Sequence, residues 1–144
     1  MSDLADEPAS IEDLVESFEL LDDWQDRYGY LIELGRELPA FPEDARVAEN
    51  KVKGCMSQVW LIAEPVDPES GVLRFRADSD AHIARGLVAI LLTIFSGHSP
   101  QQILDTDPRP VFARLGLDKH LSMGRSNGLL SMVGKIKQIA AAAS

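Results

Sequence analysis

Cys55 is the only cysteine in 144 residues, and it lies in Lys51-Val52-Lys53-Gly54-Cys55-Met56-Ser57-Gln58-Val59-Trp60. A lone thiol makes no internal disulfide, and it cannot supply the several thiolates that a metal or iron–sulfur centre usually takes. Ionised and reachable, it can act as a nucleophile or carry a group. Lys51 and Lys53 put positive charge nearby, and Gly54 removes side-chain bulk from the approach. Most free cysteines are small buried hydrophobes without chemistry. Here the Lys-Gly and Ser57-Gln58 flanks are poor company for a core position. They point to a loop tip, where functional residues concentrate.

Other chemistries have less support. A cysteine hydrolase needs a histidine base near the thiol. His82, His98 and His120 are the candidates, and each is more simply a surface or capping residue. Cys55 and these histidines show no compact metal-ligand spacing, so no metal is expected. Gly124 and Gly128 do not follow a strand as a phosphate loop requires. A monothiol redox protein would begin with a thioredoxin-like βαβ unit, which two leading helical patterns contradict.

Hydrophobic residues make up 45% of the chain and charged residues 26%, an ordinary balance for a soluble globular protein. Residues 1–28 hold ten acids and one base and so account for the whole net charge of −9. The chain is an acidic N-terminal arm on a neutral body, which argues against nucleic-acid binding. The arm is a solvated helix surface before it is a docking patch. The longest apolar stretch, from Leu87 to Phe95, is far too short to span a bilayer. An acidic N-terminus lacks the features of a secretion or transit signal, and with one cysteine a cytoplasmic location is expected.

The elements that must position Cys55 follow from periodicity. Ile11, Leu14, Val15 and Phe18 form a helical stripe behind a Ser10 cap. Asp22 is placed to cap a second helix carrying Trp24, Tyr28, Leu31 and Ile32, which Pro39 and Pro42 stop. Gln58 to Glu64 is apolar on both faces, as in a strand covered on both sides. After a turn at residues 65–71, Val72 to Asp78 alternates with Leu73, Phe75 and Ala77 inward. With a short segment at Val47 to Lys53, this predicts a three-stranded antiparallel sheet with Cys55 in a connection. Asp80 is placed to cap a helix buried through Ile83, Leu87, Ile90, Leu91 and Ile94, with Gly97 as terminator. Short helices are predicted near residues 100–104 and 110–115. A last helix from about Ser126 buries Leu129, Met132, Val133, Ile136 and Ala140. The expected fold class is α+β, a small sheet packed with helices, in a single domain over residues 1–144 with residues 1–9 a flexible acidic N-terminus.

Around Gly54-Cys55-Met56-Ser57-Gln58-Val59-Trp60 the chain resembles the SufE-like family, sulfur-acceptor proteins that work with cysteine desulfurases. Three further blocks resemble that family in the same order: Tyr30-Leu31-Ile32-Glu33-Leu34-Gly35-Arg36-Glu37-Leu38-Pro39, Ser79-Asp80-Ala81-His82-Ile83-Ala84-Arg85-Gly86-Leu87-Val88-Ala89 and Ser122-Met123-Gly124-Arg125-Ser126-Asn127-Gly128-Leu129. The blocks keep the family's order and spacing, and the resemblance runs from about residue 10 to the C-terminus. Met56 is a departure, since members often carry Gln there, and it bears on how the loop docks.

The resemblance implies a fold shared with iron–sulfur scaffold proteins of the IscU type, whose additional ligand cysteines this chain lacks. It implies that Cys55 takes persulfide sulfur from a SufS-type cysteine desulfurase, stimulates that enzyme, and passes the sulfur to an iron–sulfur scaffold or another downstream acceptor. The chain is then a relay and activator, not a stand-alone enzyme. No cofactor of its own is expected; pyridoxal phosphate belongs to the desulfurase. Cys55 is the persulfide acceptor, Arg125 an anion stabiliser or docking residue, and Lys51, Lys53, Gly54 and Ser57 make up the binding segment. Family analogy also implies that the Cys55 loop rests in an apolar pocket and swings out on docking. The alternative is a non-catalytic interaction module with an inert cysteine. Neither reading involves nucleic acid or a membrane.

Overall fold

Leu14, Val15 and Phe18 bury one face of the first helix, α1 (Ile11–Glu19), as their spacing requires. In the computed structural model, which describes residues 11–54, 57–66 and 69–143, six more helices and one hairpin follow. The proposed Ser10 cap and the N-terminal segment lie outside the described residues. Helix α2 (Trp24–Arg36) is capped by Asp23, one residue later than the sequence suggests. Its carboxylate accepts from the Asp26 N–H at 2.8 Å, satisfying one of the first-turn donors that a helix leaves free.

Strands β1 (Val59–Pro65) and β2 (Leu73–Ser79) pair antiparallel, with Val59 opposite Ser79 and Pro65 opposite Leu73. Val59, Leu61, Phe75 and Ala77 are buried and face α3 (His82–Phe95) and α7 (Met123–Ala143). The other face carries Trp60, Ile62 and Asp78. The segment between α2 and β1 covers it: the Arg46 guanidinium lies 5.1 Å from the Trp60 ring centroid and 5.3 Å from that of Phe41. Arg46 also donates to Asp78 Oδ2 at 2.6 Å. Arg76 pairs with Glu64 at 2.7 Å and donates to the Ala40 carbonyl at 3.1 Å. Thus β1 is apolar on both sides because both are covered.

The third strand expected at residues 47–53 is not formed. Two 3₁₀ turns, Glu43–Ala45 and Ala48–Asn50, occupy that approach, and the Asn50 side-chain amide donates to the Ala45 carbonyl at 2.9 Å. Among the described residues a single bridge, Lys51 to Trp60, remains beside β1. Local side-chain bonding of this kind competes with a strand ladder.

Helix α3 is buried more widely than its stripe predicts, since Val88, Leu92 and Phe95 are enclosed too. It packs against α2, β2 and α7. Its approach to α2 is set by glycine. A Cβ on Gly86 would stand 2.2 Å from the Leu31 carbonyl oxygen, and one on Gly35 would stand 2.7 Å from Arg85 Cβ. Asp80 does not cap α3; Ala81 occupies that position without a side-chain bond. Gly97 follows the helix with φ +82, and its N–H donates to the Leu73 carbonyl, fastening the chain to β2. Helices α4 (Pro100–Asp105) and α5 (Arg109–Arg114) fall where expected; α6 (Leu117–His120) was not foreseen. Lys137 of α7 donates to the last carbonyls around α4, Leu104 at 3.0 Å and Thr106, a favourable place for a cation. Helix α7 begins at Met123, three residues ahead of expectation, and buries Leu129, Met132, Val133, Ile136 and Ala140 as predicted.

Candidate functional site

The loop from Lys53 to Gln58 is fixed at both ends. On the entering side the Val52 N–H donates to the Val59 carbonyl at 2.8 Å, and the Val52 side chain is buried. On the leaving side Gln58 and Asp80 bond reciprocally. The Gln58 N–H donates to the Asp80 carboxylate at 3.0 Å, and the Asp80 N–H donates to the Gln58 carbonyl at 3.3 Å. Asp80 therefore holds the base of the loop, a role that its cap-like position in the sequence concealed.

Between these clamps the chain turns at Gly54, whose φ is +89. An L residue adopts that geometry only under strain, so glycine is the residue type that fits. The turn rests on α7: a Cβ on Gly54 would come within 2.6 Å of the Ser131 Oγ. Nothing in the local sequence pairs Gly54 with Ser131; only the docking of α7 brings them together. Cys55 and Met56 lie outside the described residues. Ser57 is half-buried, and Lys51, Lys53 and Gly54 are exposed.

Beside the turn runs a groove of about 550 Å³ whose lining includes Lys51, Lys53, Glu49, Ser131, Gly134 and Lys135. Lys135 donates to the Glu49 carbonyl at 3.1 Å, which ties α7 to the segment leading into the loop. Three lysines against one carboxylate make the groove basic, and the loop tip expected to rest in an apolar pocket lies outside the described residues. Arg125, by contrast, is exposed in the first turn of α7, where its N–H donates to the Ser122 Oγ at 3.3 Å. Six residues separate it from Ser131, about 9 Å along the axis and roughly 120° around it. The predicted residues thus divide into a described cluster of Lys51, Lys53 and Gly54 beside α7 and Arg125 on another face nearer the helix start.

The chain also fixes what surrounds the loop. Asp78, 9% exposed, lies between two arginines. Arg46 makes a full hydrogen bond to it, whereas Arg85 Nε sits 3.0 Å from Oδ1 without the alignment of one. Asp78 Oδ1 accepts instead from the Ser79 N–H at 2.8 Å. This ion cluster closes the end of the hairpin from which the loop departs. Burial without compensation would be costly for any one of these charges.

The histidines do not gather. His120 stacks on Trp24, with centroids 4.2 Å apart, while His98 bridges Leu73 at the far end of β2 from Ser79, about 20 Å along the strand. His82 is exposed at the start of α3. Among the described residues no three His, Cys, Asp or Glu side chains converge on a metal-sized space, and no helix is long and apolar enough to cross a membrane.

Comparison with known proteins agrees with the resemblance in the four blocks. The chain is 50% identical over 129 residues to an uncharacterized SufE-like protein of Rhizobium meliloti (strain 1021), covering 89% of this chain and 92% of that one. It is 50% identical over 131 residues to another from Rhizobium etli, covering 90% and 88%. A solution structure of a hypothetical protein from Thermus thermophilus superposes with a TM-score of 0.72 at 22% identity, covering 95% of this chain and 97% of that one; it has the same fold. The SufE family model, described as an Fe-S metabolism associated domain, matches residues 12–140, and the chain belongs to the SufE family.

Proposed function

We propose that the protein is a sulfur carrier of iron–sulfur metabolism, taking sulfur from a cysteine desulfurase onto Cys55 in the cytoplasm. The thiolate of Cys55 attacks the outer sulfur of the persulfide on the desulfurase. The S–S bond of that persulfide breaks, the enzyme's cysteine leaves as a thiolate, and Cys55 becomes the persulfide. A downstream thiolate repeats the exchange and returns Cys55 to its starting form. Unloading the desulfurase is what stimulates it. Pyridoxal phosphate chemistry stays with that partner.

The observation that carries this reading is the mounting of the residue before the thiol. Gly54 is exposed, held in a left-handed turn between two clamped loop ends, and flanked by Lys51 and Lys53. Thiol–disulfide-type exchange depends on thiolate fraction and on access, and cationic neighbours favour the anion. Membership of a family associated with Fe–S metabolism gives that chemistry its setting.

Intact mass spectrometry after incubation with a cysteine desulfurase and cysteine tests it. The expected result is a reducible gain of about one sulfur atom on the wild-type chain and none on Cys55→Ser. The Cys55→Ser chain should still dock but no longer stimulate. No adduct under turnover would overturn the carrier role, and unchanged stimulation by Cys55→Ser would favour an interaction module with an inert cysteine.

A further inference from the structure

The groove beside Gly54 reverses the character of the chain. The protein as a whole carries −9, yet Lys51, Lys53 and Lys135 line this groove against one carboxylate, Glu49. Acids are plentiful, and the arginines use them: Arg46, Arg76, Arg85, Arg109 and Arg114 each pair with a carboxylate within 3.3 Å. Among the described residues none of the five lysines makes such a pair, and three of the five line this groove. Lys135 is held by the Glu49 backbone carbonyl, which fixes the ammonium at the groove without neutralising it. Gly134 and Ser131 give the α7 wall short side chains, leaving room for an extended segment about 550 Å³ in volume.

We infer that this groove is the docking site for an acidic, extended segment of the sulfur-donating desulfurase. The inference rests on the carrier reading of Cys55 and adds the chemistry of the partner surface. Three lysines held beside a reactive loop, on a chain that otherwise repels acidic partners, select a partner whose acidic residues flank its own persulfide cysteine. The footprint is too small and the chain too acidic for nucleic acid. The donor is the natural occupant because its persulfide must be brought to the loop before any acceptor has a substrate. Seated there, the acidic segment sets the register between the two sulfur-bearing loops, and complementary charge speeds the encounter.

The test measures binding of the full chain carrying Cys55→Ser to the desulfurase holoenzyme, so that sulfur transfer plays no part in the reading. Lys135→Glu should weaken binding about tenfold at low salt, and Lys135→Gln about threefold. The loss should shrink at high salt, where exposed charges are screened. Lys119→Glu, the same charge change on exposed α6, should leave affinity within about twofold. Four results would each overturn the inference: no binding by the parent, Lys135→Glu matching the parent, equal weakening by Lys119→Glu, or a loss confined to the downstream acceptor. Failure of the carrier reading shows separately, as a wild-type chain that gains no sulfur.

Discussion

Replacing Gly54 by alanine should disturb the candidate site more than any other single methyl group near it. Two effects contribute, and their sizes differ. With φ at +89, an L residue at this position costs about 1–2 kcal/mol in backbone strain. The new Cβ would also stand 2.6 Å from the Ser131 Oγ. That hydroxyl can turn away, at about 0.5–1.5 kcal/mol for an off-minimum rotamer. Strain is therefore the larger effect, and the total is about 2–3 kcal/mol. With m near 2 kcal/mol/M, the urea midpoint falls by about 1 M or a little more. Removing the hydroxyl separates the two effects. In a Ser131→Ala background the nearest atom is Ser131 Cβ at 3.5 Å, ordinary contact, so the same substitution should cost only about 1–2 kcal/mol. Because Val52 and Gln58 anchor the loop ends, any relief of strain must move the residues between them, and the alkylation rate of Cys55 should change with it. Urea denaturation of the four-member cycle, with Cys55 alkylation on each member, is the assay. If Gly54→Ala leaves both the midpoint and the alkylation rate unchanged, the account of this loop is wrong. If the cost is the same with and without the Ser131 hydroxyl, the loop does not rest on α7 as described.

Gly86→Ala should destabilise the fold by about 3 kcal/mol or more in urea denaturation, because its Cβ would meet the backbone of Leu31 and force α2 and α3 apart; a cost below about 1 kcal/mol would contradict that packing. Arg46→Ala should cost about 2–3 kcal/mol, since it removes the bond to the poorly exposed Asp78 and uncovers Trp60; unchanged stability would mean the ion cluster does not hold the hairpin's second face. The Arg109 side chain, and then its backbone N–H, hold the Asp107 carboxyl down to about 2 from an ordinary 3.8. A depressed folded value means the contribution is complete above 3.8 and is lost as pH falls through about 2. An NMR titration should therefore show an Asp107 midpoint near 2, moving back toward 3.8 in Arg109→Ala; a midpoint that stays put would rule out the pair as its cause. The hydrogen bonds from Arg114 hold Glu12 below its ordinary range in the same way, joining α1 to α5, and Arg114→Ala should raise the Glu12 titration midpoint.

Most of the helical framework was legible because burial imposes a period. The stripes of α1, α3 and α7 needed only residue types spaced three and four apart, and each is buried except at Ile11 and Ile83, which are partly buried at the starts of α1 and α3. The hairpin was legible through the alternation of Leu73, Phe75 and Ala77. The third strand was misjudged because its sequence carries no signal of the Asn50-to-Ala45 bond that turns the chain away. Asp80 was misassigned for a related reason. A carboxylate before a helix suits a cap, but a backbone N–H from the opposite strand end competes for it and wins.

By itself the sequence determined that one thiol is available, that glycine precedes it, that lysines flank it, and that the surrounding blocks are those of the SufE family. Those are matters of residue type and local order. Only the tertiary structure decided that Gly54 rests on Ser131, that Asp80 holds the loop's exit, and that Lys135 joins Lys51 and Lys53 in one groove. The first and third depend on where α7 packs against the hairpin and the segment leading into it, a packing set by the apolar faces of those elements, and the second on the strand pairing that brings Gln58 beside Asp80. The polar residues that meet across them carry no mark of it in their own sequence.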